Sequence, residues 1–167
     1  MKRMLASVIL SVISFDACGG ASTAQSGAQK MAAALTGDDN EAAGNPQCKL
    51  FTPAELAKYI GEPLSAGHNA LGGCQWLSTK TRADGSQGDV MITVVPARYH
   101  ERPTRATGFK EVPDVGVKGF VALDFGGWAA GAIVGKDAVR VTVDGAAAGE
   151  TSAVALLKET VRRLGSS

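Results

Sequence analysis

The chain has 167 residues, 45% of them hydrophobic and only 5% aromatic, with 21 glycines and 3 cysteines. Large apolar side chains this few furnish one core rather than two. Seventeen basic residues against 16 acidic ones leave a formal charge of +1, which excludes nucleic-acid binding driven by bulk charge.

Lys2 and Arg3 precede an apolar run over residues 4–15. Its 12 residues are too few to span a bilayer as a helix but suit the hydrophobic region of a signal peptide. Asp16, Ala17, Cys18, Gly19 and Gly20 follow. A cysteine placed after a small residue at the end of such a run resembles the lipobox of bacterial lipoproteins, where the signal is cut before the cysteine and the cysteine is acylated. Phe15 and Asp16 depart from that pattern, which has Leu and a small or apolar residue at these places. The resemblance implies a signal peptide over 1–17, a lipid anchor on Cys18, and an exported protein held on a membrane of the cell envelope. Cleavage without acylation, giving a soluble periplasmic or secreted protein, is the alternative. Residues 18–45 are rich in Ala, Gly, Ser, Thr and Gln and hold no aromatic side chain, so they bury too little apolar surface to offset ordering entropy. We read them as a flexible tether with an end-to-end distance on the order of 30 Å. Residues 46–167 form a single folded domain in this reading.

The strongest local signal opens that domain. Thr52, Pro53 and Glu55 have the order of a capping box with proline at the first helical position. Leu56 and Ile60 share a face, Gly61 is a natural cap and Pro63 blocks continuation, which predicts a helix over 53–60. Runs of strand character follow at 74–79, 89–96, 119–125, 128–134 and 138–144. Val139, Val141 and Val143 alternate with Arg140, Thr142 and Asp144, the pattern of a strand with one buried face. Spacers as short as Gly126-Gly127 and Gly135-Lys136-Asp137 require antiparallel hairpins. Val154, Leu157, Val161 and Leu164 then recur at helical spacing and predict a closing helix over 151–164. The expected fold is α+β: an antiparallel sheet of about five strands with a short N-terminal helix and a C-terminal helix packed on it. The stretch 98–118 is too long to be idle and is expected to hold a further short element.

Cys48 precedes the first helix and Cys74 begins the first strand. In an exported protein we expect them bridged, with the closed loop contributing about 3–4 kcal/mol. His68 and His100 are isolated, so no ligand set at zinc-like spacing, and no cofactor motif, is expected. The run Cys-Lys-Leu-Phe-Thr-Pro-Ala-Glu-Leu from Cys48 to Leu56, then Gly61, then Cys74-Gln75-Trp76, resembles the domain-of-unknown-function 3558 family of small bacterial envelope lipoproteins. Its specific motifs occupy 48–76, and the layout of a β-rich middle followed by a helix agrees over 46–167. The resemblance implies a disulfide-linked, helix-on-sheet envelope domain without assigned chemistry.

Catalytic signals are lacking. Gly131 and Gly135-Lys136-Asp137 faintly resemble a phosphate loop, but the glycine spacing is one residue short, Asp137 replaces the Ser or Thr, and strand leads into strand. A hairpin turn accounts for them. No nucleophile elbow and no nucleophile–base pair is evident, so no catalytic residue is assigned. Two features suit binding. Arg98, Tyr99, Arg102 and Arg105 place an aromatic among basic groups in a long loop, which is either a recognition surface or a solvated loop. Trp76 and Trp128 fall on predicted strands, where they line a ligand cleft or pack in the core. The function expected is a binding or interaction module for an envelope protein, a cell-wall component or a small apolar molecule. The alternatives are a small periplasmic hydrolase using His68 or His100 and a structural accessory subunit.

Overall fold

The computed structural model describes residues 44–165. The expected signal peptide, Cys18 and the tether up to residue 43 lie outside the described residues. Among those described, no helix is long and apolar enough to cross a membrane.

Asn45 begins the domain by accepting the Gln47 N–H and capping a 3-10 turn, Pro46–Lys49. Helix α1 (Pro53–Ile60) forms as its local residues dictate. The Thr52 side chain accepts from the Glu55 N–H, the Glu55 carboxylate accepts from the Thr52 N–H, and Gly61 ends the helix at φ 73°. Seven strands follow: β1 (His68–Ala70), β2 (Gly73–Thr81), β3 (Gln87–Pro96), β4 (Lys110–Glu111), β5 (Val117–Asp124), β6 (Gly127–Val134) and β7 (Asp137–Asp144). Helix α2 (Glu150–Leu164) closes the chain.

All neighbours pair antiparallel in one sheet of order β1-β2-β3-β7-β6-β5-β4. The α+β class, the antiparallel sheet and the C-terminal helix agree with expectation, but the strands number seven rather than about five. The two additions are the edge strands β1 and β4, of 3 and 2 residues, too short to leave a period in the sequence. The sheet consists of two meanders, β1–β3 and β4–β7, zipped together by β3 and β7 from Asp89↔Asp144 to Pro96↔Asp137.

Period-2 alternation sends Val90, Ile92, Val139, Val141 and Val143 to one face, where they are buried under the helices. Helix α2 lies across β5, β6 and β7, and α1 packs against α2, β3 and β7. Ala130 and Ala132 on β6 and Ala153 on α2 are small enough for close approach of helix and sheet. The buried face of α2 is Ala153, Leu156, Leu157 and Thr160. The expected stripe of Val154, Leu157, Val161 and Leu164 is therefore centred about one position off, with Val154, Val161 and Leu164 only half-buried. Thr160 is tolerated inside because its hydroxyl donates to the Leu156 carbonyl at 2.8 Å.

Cys48 and Cys74 are bridged, with their Cα atoms 5.2 Å apart. The bond ties the segment before α1 to β2.

The other face of the sheet is covered over only part of its area. The chain must pass from β3, in the middle of the sheet, to β4 at its edge, and residues 97–109 make that crossing. This segment holds a second 3-10 turn (Ala97–Tyr99) and, with β4, supplies the further structure expected within 98–118. The Ala97 N–H donates to the Lys136 carbonyl. His100 Nε2 contacts the Lys118 carbonyl at 3.1 Å, and its ring lies 5.7 Å from that of Phe120. Phe109 stacks on Phe120 from the β4 side. Phe120 is thereby buried on the face opposite the helices, and its ring lies over Gly131, where a Cβ would come within 2.8 Å of it. The rest of this face remains open.

Candidate functional site

The uncovered part of the sheet is a groove of about 390 Å³. Pairing places Gln75, Met91, Thr142 and Ala129 in one row across β2, β3, β7 and β6. The adjoining rows bring Asp89 opposite Asp144, and Thr93 opposite Arg140. Along the groove, β6 carries Gly127, Ala129 and Gly131 on this face, with Ile133 beyond it, so the floor is low there and the Arg140 side chain reaches across it to an ion pair with Asp124 on β5.

Two large apolar side chains stand at the margins. Leu71 is 74% exposed and Phe125 is completely exposed, and both line the groove. Each occupies the first position of a two-residue hairpin turn in which both residues have positive φ: Leu71 at 48° and Gly72 at 77°, Phe125 at 45° and Gly126 at 94°. Such turns favour Asn, Asp or Gly at that position, because a side chain with Cβ is strained there by about 1–2 kcal/mol. The turn between β5 and β6 is thus Phe125-Gly126, one residue earlier than the expected Gly126-Gly127.

The charges of the groove are mostly answered. Arg82 grips Asp144 with two hydrogen bonds of 3.0 and 3.2 Å and lies 3.6 Å from the buried Glu62. Arg140 holds Asp124. Asp89 receives a hydrogen bond from the Gln75 amide at 2.7 Å. Burial pushes the Asp89 carboxyl above its ordinary range, the Gln75 bond opposes that shift, and the facing Asp144 adds to it.

A second hollow, of about 490 Å³, opens beside the disulfide and the start of α1. Its walls are occupied with one another. The Arg163 guanidinium lies 4.0 Å from the Phe51 ring centre, bonds the Leu50 carbonyl, and pairs with Glu55 and Glu159 at 2.8 Å. The hydrogen bond from Arg163, reinforced by the Thr52 cap, lowers the Glu55 pKa to about 2. Arg162 and Arg163 lower that of Glu159 to about 2 as well. This knot fastens α1 to α2.

The two features that suit binding, the basic loop and the tryptophan pair, lie apart from the groove. Trp76 is completely buried in the helix-side core, the second of the two places open to it. Trp128 is half-buried on the same side, against Gly108. Arg98 stacks on Tyr99 at 4.7 Å in the crossing segment, and Tyr99 is exposed. Arg102 lies 5.4 Å from the Phe109 ring centre and pairs with Glu111, while Arg105 is exposed. The expected hairpin at Gly135-Lys136 is present, with Gly135 at φ 60°. The residues that do converge, among them Leu71, Gln75, Met91, Phe125 and Arg140, escaped the sequence reading. The trace they left is a Leu-Gly and a Phe-Gly pair between strand runs, where a turn former is the ordinary first residue.

Comparison with protein-family models gives no match to this chain, and comparison with curated proteins gives none either.

Proposed function

We propose that the protein is an exported, envelope-anchored binding module whose ligand lies in the groove on the open face of the sheet. The observation that carries the reading is the pair Leu71 and Phe125, which are exposed, held at positive φ, and set at the rim of one groove. Exposure of a large apolar side chain does not contribute to folding, and these left-handed turns form with less strain on Asn, Asp or Gly, so a ligand that covers both side chains explains the choice of Leu and Phe. Export is supported by Lys2, Arg3, the apolar run 4–15 and Cys18, and by the Cys48–Cys74 bridge, which suits an oxidising compartment. The chain enters the domain beside the Leu71 turn, where the Asn45 amide donates to Asn69 and to the Gly73 carbonyl. On the tether reading of residues 18–45, a lipid on Cys18 holds the domain at a root-mean-square distance on the order of 30 Å from the membrane.

The test compares the wild-type protein with a Leu71→Asn/Phe125→Asn variant, each immobilised and exposed to the combined aqueous and organic small-molecule extracts of the producing cells' envelope. Mass spectrometry of the eluates should find a small molecule retained by the wild type and absent from the variant. Equal retention by both, or none by either, overturns the assignment of the groove. Intact mass of the native protein without reductant reports the anchor: an acylated chain beginning at Cys18 is expected, and a chain that keeps residues 1–17 refutes it.

A further inference from the structure

Three carboxylates, Asp89, Asp124 and Asp144, border the groove, and two of them are neutralised within the fold by Arg140 and Arg82. Asp89 is the remainder. Its hydrogen-bond partner is the neutral Gln75 amide; the carboxylate opposite it on β7 is that of Asp144; and Arg82, whose charge acts on it, is engaged by Asp144 and Glu62. A neutral ligand seated on Met91 and between the apolar rims would strip water from Asp89 and leave its charge unanswered, which is costly. An anion would meet Asp89 and Asp144 on a floor whose one lining guanidinium, that of Arg140, is already paired. Among the described residues, no three His, Cys, Asp or Glu groups are placed to hold a metal ion, so a bare metal is a poor source of the missing charge.

We infer that the groove recognises a compact organic ammonium ion, with the ammonium on the Asp89 carboxylate and the apolar body over Met91 between Leu71 and Phe125. This rests on the groove being the binding site, and it deepens that reading by naming the ligand class. The volume of about 390 Å³ suits a small molecule carrying one ring or a short alkyl chain. The single positive charge follows from the single unpaired carboxylate, and the apolar body follows from the rims.

The experiment titrates the 15N-labelled full chain at pH 7 with three near-isosteric probes: 2-phenylethylammonium, neutral 2-phenylethanol, and phenylacetate. Amide shifts are expected at Gln75, Asp89, Met91 and Thr142. The ammonium should bind roughly 10–100-fold more tightly than the alcohol, the worth of a charge-assisted contact, and phenylacetate should bind most weakly. Asp89→Asn can still accept the Gln75 hydrogen bond; it should abolish the preference for the ammonium, weakening the ammonium and strengthening the alcohol, which no longer leaves a charge unanswered. Equal affinity for the three probes overturns the ammonium assignment while leaving the groove as a binding site. Absence of groove shifts with every probe, in a protein whose spectrum is folded, overturns the groove itself.

Discussion

The rims of the groove make a prediction in which stability and binding move in opposite directions. Leu71 and Phe125 have φ of 48° and 45°, and such backbone costs an ordinary side chain about 1–2 kcal/mol. Asn tolerates this region, so each replacement should recover about 0.5–1 kcal/mol of that strain. Phe125 is fully exposed and gives up no buried area. Leu71 is 74% exposed, and loss of its covered quarter offsets the gain by about 0.5 kcal/mol. The two residues lie on separate hairpins, so their effects should add to about 0.5–1.5 kcal/mol of stabilisation in Leu71→Asn/Phe125→Asn. For a domain of this size that corresponds to a rise in Tm of about 2–8 °C. Urea denaturation and thermal scans of both proteins, without reductant, measure it. A loss of about 1 kcal/mol or more would show that the two side chains support the fold, which removes the reason for assigning them to a ligand.

Cys48→Ser/Cys74→Ser should lower the unfolding free energy by about 3–4 kcal/mol in urea, the value for a closed loop of this length. Glu55 is held at a pKa of about 2 in the folded state against 4.5 for the free group, so its contribution is complete above about pH 4.5 and is lost as pH falls toward 2. Glu55→Gln should therefore be less stable than wild type at pH 7 and show a shallower decline over that window in acid denaturation; parallel profiles would contradict the Arg163 pairing. Gly131→Ala should destabilise by about 1–3 kcal/mol, because the new methyl meets a Phe120 ring already confined by Phe109 and His100.

Helix α1 was legible residue by residue because everything that makes it is local: Thr52, Pro53, Glu55 and Gly61 act within two turns of the backbone. The five longer strands were legible through the β-branched content of β3, the alternation of β7 and the short glycine-marked spacers on either side of β6. Strands β1 and β4 exist because β2 and β5 offer them hydrogen bonds, a cause outside their own residues. The burial of α2 was misread for a related reason. Val154 and Val161 look like core residues in a linear pattern, whereas Ala153 and Thr160 become interior only where a small or self-bonded side chain lets the helix settle on an alanine-rich strand. Trp76 was readable as a core residue or a cleft residue, and the register of β2 against β3 decides for the core.

The groove was illegible for a topological reason, and the same reason explains its position. Pairing of β3 with β7 joins residues as distant in the chain as Gln75, Met91, Phe125 and Arg140 on one surface. It also obliges the chain leaving β3 to cross to the far edge of the sheet. That crossing runs at the end where Ala97 meets Lys136 and His100 meets Lys118, so it buries Phe120 and cannot also cover Met91 and Thr142. A bare sheet face of this kind needs polar cover to stay soluble, and Arg140 with Asp124 and Arg82 with Asp144 supply it. Once those pairs are assigned to the fold, Asp89, Leu71 and Phe125 remain as features of this surface that folding does not require, and the proposed ligand, with a charge and an apolar body, would account for all three.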